Sequence, residues 1–126
     1  IDLSNSKVYL SNVKVNKAGD KGISVGEKSI LNAKDISISN SSIGIASKDF
    51  SEVKIKNLNI ENVELGLTSF QKKMEFGPSS IIIETNAPIN ARQKYLLERN
   101  SAIVVNGKTL LPNSNSVKDM IYPKNP

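Results

Sequence analysis

The chain contains no cysteine, no histidine and no tryptophan in 126 residues. Without cysteine, neither disulfides nor thiolate metal sites contribute to its stability or chemistry. Without histidine, it lacks the usual acid or base near neutral pH and the commonest metal ligand. Ser-His-Asp and Cys-His catalysis are therefore excluded within this chain. Aromatic residues make up 5% of the sequence, so platforms on which sugars or bases stack are scarce. Arginine occurs only as Arg92 and Arg99. Neither a signal peptide nor a membrane span is visible along the sequence.

What is present is basic and aliphatic. Lys and Arg outnumber Asp and Glu by 17 to 12, a net charge of +5, but the lysines are scattered and form no run. Such a balance serves solubility first and also suits an acidic polymer, such as a uronic-acid polysaccharide. Nucleic acid is not expected, because no basic stripe is interleaved with stacking aromatics.

Four stretches superimpose when the chain is slid by 22 residues: I-D-L-S at Ile1, G-I-S-V-G at Gly22, G-I-A-S at Gly44 and G-L-T-S at Gly66. Ile1, Ile23, Ile45 and Leu67 fall in one column, and such a period means stacked structural units. Between the glycines recur the triplets bounded by Val8 and Leu10, Leu31 and Ala33, Val53 and Ile55. A second set is bounded by Val13 and Val15, Ile36 and Ile38, Leu58 and Ile60. Apolar, polar, apolar alternation is the half-buried strand pattern, since successive side chains leave a strand on opposite faces. Val, Ile, Ser and Asn dominate and no helical spacing persists, which argues against helix.

Three short strands and three bends per unit predict an all-β fold. It is a right-handed parallel β-helix of about four coils over residues 1–89, stacked about 4.8 Å apart. Asn12, Asp35 and Asn57 form one expected ladder, and Asn40 and Asn62 another, since Asn tolerates left-handed bends. Gly22, Gly44 and Gly66 are expected at bends. Residues 81–83 are expected to add a rung to the strand over 58–60. Beyond Pro88 the period fades, and residues 90–126 read as a C-terminal cap. Within it Asn106-Gly107 predicts a β-hairpin between 102–105 and 108–111. Residues 117–122 are a strand or short helical turn, and 123–126 a loose tail. Ile1 falls in mid-repeat, which predicts the C-terminal part of a longer solenoid and self-association through an uncapped first rung.

The segments V-K-V-N with Gly22-Ile23, I-S-I-S-N with Gly44-Ile45 and L-N-I-E-N with Gly66-Leu67 carry a family likeness. Over residues 1–89 the chain resembles the pectate-lyase-like superfamily of right-handed parallel β-helices. That resemblance implies the fold, and a range of functions from lyases, hydrolases and epimerases to adhesins and phage tailspikes. In lyases it implies a calcium-carboxylate cluster and a basic residue, and in hydrolases clustered aspartates. Neither motif transfers here, because Asp2, Asp20, Asp35 and Asp49 occupy different columns. No catalytic residue, metal or cofactor is assigned.

The densest charged constellation places Glu27, Asp49 and Gln71 in one column, each four residues after its Ile or Leu anchor. Carboxylates on adjacent rungs stand about 5 Å apart, a spacing that can bind calcium or share a proton. Lys28, Lys48, Lys72 and Lys73 surround this turn, with Phe50 and Phe70 nearby. These seven charged and amide residues are the candidate ligand-binding set, against the plainer reading of a solvated turn in which Lys offsets Glu and Asp. Tyr9 is expected to point outward, within reach of a saccharide.

The expected function is a non-catalytic C-terminal segment of a secreted or surface β-helix protein associated with polysaccharide recognition, bacterial by its Asn, Ser and Lys content. One alternative is part of a polysaccharide lyase or glycoside hydrolase whose active site lies mainly on upstream coils. The other is a structural adhesin or stalk.

Overall fold

Along most of the strands alternation sends one aliphatic set inward, and inward sets from successive coils meet in register. In the computed structural model, which describes residues 1–122, the strands are β1 (Asp2–Ser4), β2 (Lys7–Asn16), β3 (Lys21–Gly26), β4 (Ile30–Ser39) and β5 (Ile43–Lys48). They continue as β6 (Glu52–Phe70), β7 (Ser80–Ile83), β8 (Ile89–Leu97), β9 (Ala102–Val105) and β10 (Lys108–Thr109), followed by a short helix α1 (Val117–Ile121). The tail expected at 123–126 lies outside the described residues.

Every strand pairing except that of β9 with β10 is parallel, and the strands build a β-solenoid of about five turns. The first face stacks β1, β3, β5, the end of β6 and the end of β8. The second stacks the first halves of β2, β4 and β6 with β7 and β9. The third stacks the second halves of β2 and β4 and the middle of β6 with the start of β8. Ile23, Ile45 and Leu67 of the first face meet Leu31, Ile55, Ile81 and Ile103 of the second, and Ile36, Ile38 and Ile60 of the third, in one buried core. Tyr9 does point outward, 68% exposed.

Two expectations about register are corrected. Residues 81–83 pair with the second face, Val53 with Ile81 and Ile55 with Ile83, and not with the strand over 58–60. The cause is a lengthened corner, loop 71–79, so that Ile81 follows Val53 by 28 residues where Val53 follows Leu31 by 22. Nor does the periodicity end at residue 89: β8 and β9 add further parallel rungs, so the boundary expected there runs through the start of β8. The hairpin forms as expected, with Val105 opposite Lys108 and positive φ at both Asn106 (49°) and Gly107 (77°). Residues 117–121 are helical.

The bends belong to other residues than the glycines. Asn12, Asp35 and Asn57 have φ of 56°, 59° and 64°, and Asn40 and Asn62 have 56° and 53°. Their side chains bond along the stack, Asn57 Nδ2 donating to Asp35 Oδ1 at 2.9 Å and Asn62 Nδ2 to Asn40 Oδ1 at 2.6 Å. Gly22, Gly44 and Gly66 instead lie inside β3, β5 and β6 and lack positive φ. Space is what they supply. A Cβ on Gly44 would sit 2.5 Å from the Gly66 carbonyl oxygen and 2.9 Å from Ile60 Cδ1.

The Gly44→Ala substitution is therefore expected to destabilise the fold by about 1–3 kcal/mol, the usual cost of overpacking a dense interior. Urea denaturation followed by circular dichroism measures it, and an unchanged midpoint would contradict the crowding argument.

Candidate functional site

The corner between the first and second faces carries the charged constellation. Glu27 and Lys28 (φ 51° and 63°), then Asp49 and Phe50 (φ 57° and 64°), turn the chain through paired left-handed residues. These corners stack through the bond from Lys28 N to Asp49 O at 2.8 Å. In the next coil the corner widens into loop 71–79. Where it widens, Ser79 Oγ fills the gap, 2.8 Å from Ser69 Oγ and donating to Ser47 O at 2.6 Å.

Asp49 organises that loop from beneath. It is 1% exposed, and its Oδ1 accepts from the backbone N–H groups of Lys72 at 2.8 Å and Lys73 at 2.9 Å. Its buried Oδ2 has no hydrogen-bond partner among the described residues. Gln71 braces the loop from within, its Nε2 donating to the carbonyls of Lys73 at 3.1 Å and of Phe76. Gln71 N–H donates to Glu98 Oε2 at 2.7 Å. Glu27 ties the loop to earlier coils: Oε1 pairs with Lys73 Nζ, and Oε2 accepts from Ser4 Oγ at 3.0 Å. The bond from Lys73, helped by that from Ser4, holds the Glu27 carboxyl below its ordinary pKa, and Glu27 raises that of Lys73.

The remaining lysines turn elsewhere. Lys28 Nζ lies 5.8 Å from the centre of the Phe76 ring. Lys48 and Lys72 both reach the ring of Tyr122. Thus the expected set is adjacent along the chain's corner, yet its side chains split between bracing the loop and meeting aromatic rings. Glu27 takes the Lys73 ammonium and Asp49 the backbone N–H groups of Lys72 and Lys73, and no group of three or more acidic residues suited to a metal occurs among the described residues.

What the corner does form is a cleft of about 470 Å³ beside loop 71–79. Lys72, Lys73, Arg99 and Lys118 line it, with Glu98 as its one carboxylate. Gln71 lines it too, so three of the seven expected residues face this space. Arg99 and Lys118 are the residues that sequence reasoning missed. Ser69 pairs with Leu97 across the lengthened corner, so the same 28-residue step carries Gln71 onto Arg99 and would have placed it in the candidate column.

Asp49→Ala is expected to cost about 1–3 kcal/mol in urea unfolding, the range for bonds to a charged acceptor, with Asp49→Asn costing less. Equal losses for the two would contradict the capping role. The Glu27 contribution is complete above its ordinary carboxyl pKa and is lost as pH falls through the lowered folded value. Amide exchange in 71–76, corrected for intrinsic rate, is therefore expected to accelerate on acidification, and less so in Glu27→Gln. An identical pH response in the variant would refute this.

No helix among the described residues is long and apolar enough to cross a membrane. Comparisons with protein-family models, curated proteins and solved structures each found no match to this chain.

Proposed function

We propose that this solenoid recognises acidic polysaccharide without transforming it, and that the cleft beside loop 71–79 holds the carboxylates of a uronic-acid polymer. The observation that carries this reading is the cleft's charge, four cationic side chains against one carboxylate. Glu98 is already engaged by Gln71 N–H and Lys73 by Glu27. Among the described residues Arg99 and Lys118 have no carboxylate within ion-pair distance. A guanidinium matches a carboxylate bidentately, and Asn100 and Asn115 in the same cleft offer amides to sugar hydroxyls, while Ser116 Oγ, which donates to Asp119 Oδ2 at 2.9 Å, can accept from one. The net charge of +5 favours encounter with a polyanion. Binding is favoured over turnover because histidine is absent and the two corner carboxylates are committed to the chain's own groups. The likeness of the coils to pectate-lyase-like proteins and a secreted or surface location belong to the same proposal.

Calorimetric titration with polygalacturonate and with neutral dextran tests it. Polygalacturonate is expected to bind, more weakly as salt rises, and dextran to give no heat. Arg99→Gln and Lys118→Gln are each expected to weaken binding roughly three- to tenfold, spanning exposed ion pairs and charge-assisted bonds. Equal affinity for dextran, or no binding of polygalacturonate, overturns the proposal. New reducing ends or unsaturated product would overturn its non-catalytic part.

A further inference from the structure

The cleft has two walls of different origin. Lys72, Lys73, Glu98 and Arg99 belong to the coils, whereas Asn115, Ser116 and Lys118 belong to the segment that leads into and begins α1. A helix of five residues has no stability of its own, and Ser116 at its start makes no side-chain cap bond to the backbone. Its position therefore depends on docking against the outer side of the first face. Val117, Ile121 and Tyr122 supply the contact, packed with Ile43, Ala46, Leu65, Phe70 and Leu96.

Tyr122 adds an electrostatic clasp to that packing. Lys72 Nζ lies 4.3 Å from its ring centre, Lys21 Nζ 4.9 Å and Lys48 Nζ 5.8 Å, and Lys48 Nζ also donates to its hydroxyl at 3.3 Å. A ring face attracts cations through its quadrupole. Lys21 has a carboxylate as well, that of Asp20 at 2.7 Å, whereas Lys48 and Lys72 have none within ion-pair distance among the described residues. Burial depresses the pKa of Lys21, but its bonds with Asp20 and Tyr122 outweigh this and leave it raised. Lys72 is the link between clasp and cleft, since it lies over the Tyr122 ring and also lines the cavity.

We infer that Tyr122 is a positioning residue of the anion site: its ring aligns Lys72 and seats the wall that carries Lys118, so the site is complete only while α1 is docked. This rests on the reading of the cleft as an anion site. Linkage then runs both ways. An anion that bridges the two walls binds the docked state and slows the local opening of α1.

The test uses the full chain with Tyr122→Phe, Tyr122→Leu and Tyr122→Ala, titrated with polygalacturonate and, as a sugar-free polyanion, tripolyphosphate. Affinity and amide exchange over 117–122 are both read. In the unsubstituted chain, bound polyanion is expected to slow that exchange while β7 and β9 stay unchanged. Tyr122→Phe keeps the ring face and is expected to bind within about twofold of the unsubstituted chain, whereas Tyr122→Leu and Tyr122→Ala lose roughly fivefold, one cation–π contribution. A Leu variant that binds as well as the Phe variant overturns the positioning role, as does polyanion binding that leaves exchange over 117–122 unaltered. If tripolyphosphate behaves as expected and polygalacturonate does not bind, the positioning role stands and the polysaccharide reading falls. If neither binds, both fall.

Discussion

A coil of this solenoid cannot bury its own aliphatic side chains; it buries them against the coils on either side. That stacking contact is the constraint on which everything else depends. It requires parallel pairing in register, because a slip by one residue would turn Ile36 and Ile38 outward and bring Ser37 into the core. It also requires the first face to approach its neighbours closely, which is why Gly44 has the Gly66 carbonyl where a Cβ would be. Asn ladders hold the bends at the same spacing as the strands. Only corners escape this discipline, and the one that lengthens most, at 71–79, is where the cleft opens.

The strands and the Asn bends were legible because each follows from a local rule, alternation in one case and tolerance of positive φ in the other. The glycines were misread because two properties of one residue point to different places. Freedom of φ suggests a bend, whereas absence of Cβ suits close approach inside a strand, and the column at Gly22, Gly44 and Gly66 is of the second kind. The rung at 81–83 was misplaced for another reason. A fixed step cannot reveal an insertion, and only the pairing of Val53 with Ile81 does so. The covering of the first face by α1 has its own mark in the sequence: I-G-I-A-S and L-G-L-T-S carry no charge, as befits strands buried on both sides.

The candidate site was legible as a place and less so as a set of roles. Column alignment found Glu27, Asp49 and Gln71 at one corner, but spacing does not tell which way a side chain turns. Asp49 turns inward to cap backbone N–H groups, Glu27 reaches across to Lys73, and Lys72 points at a ring fifty residues further along the chain. Arg99 and Lys118 complete the positive lining from the segment expected to be only a cap. One structural economy links these facts. The segment that covers the first face through Val117, Ile121 and Tyr122 also supplies one wall of the cleft through Asn115, Ser116 and Lys118.

The claim at the centre of this account is that the cationic cleft is where acidic sugar binds. Mapping of amide chemical shifts on the isotopically labelled chain during titration with trigalacturonate tests it most directly. Saturable shifts confined to loop 71–79, residues 98–101 and residues 115–118 are the predicted result. Shifts spread over the lysines of the second and third faces, with these segments unmoved, would contradict it.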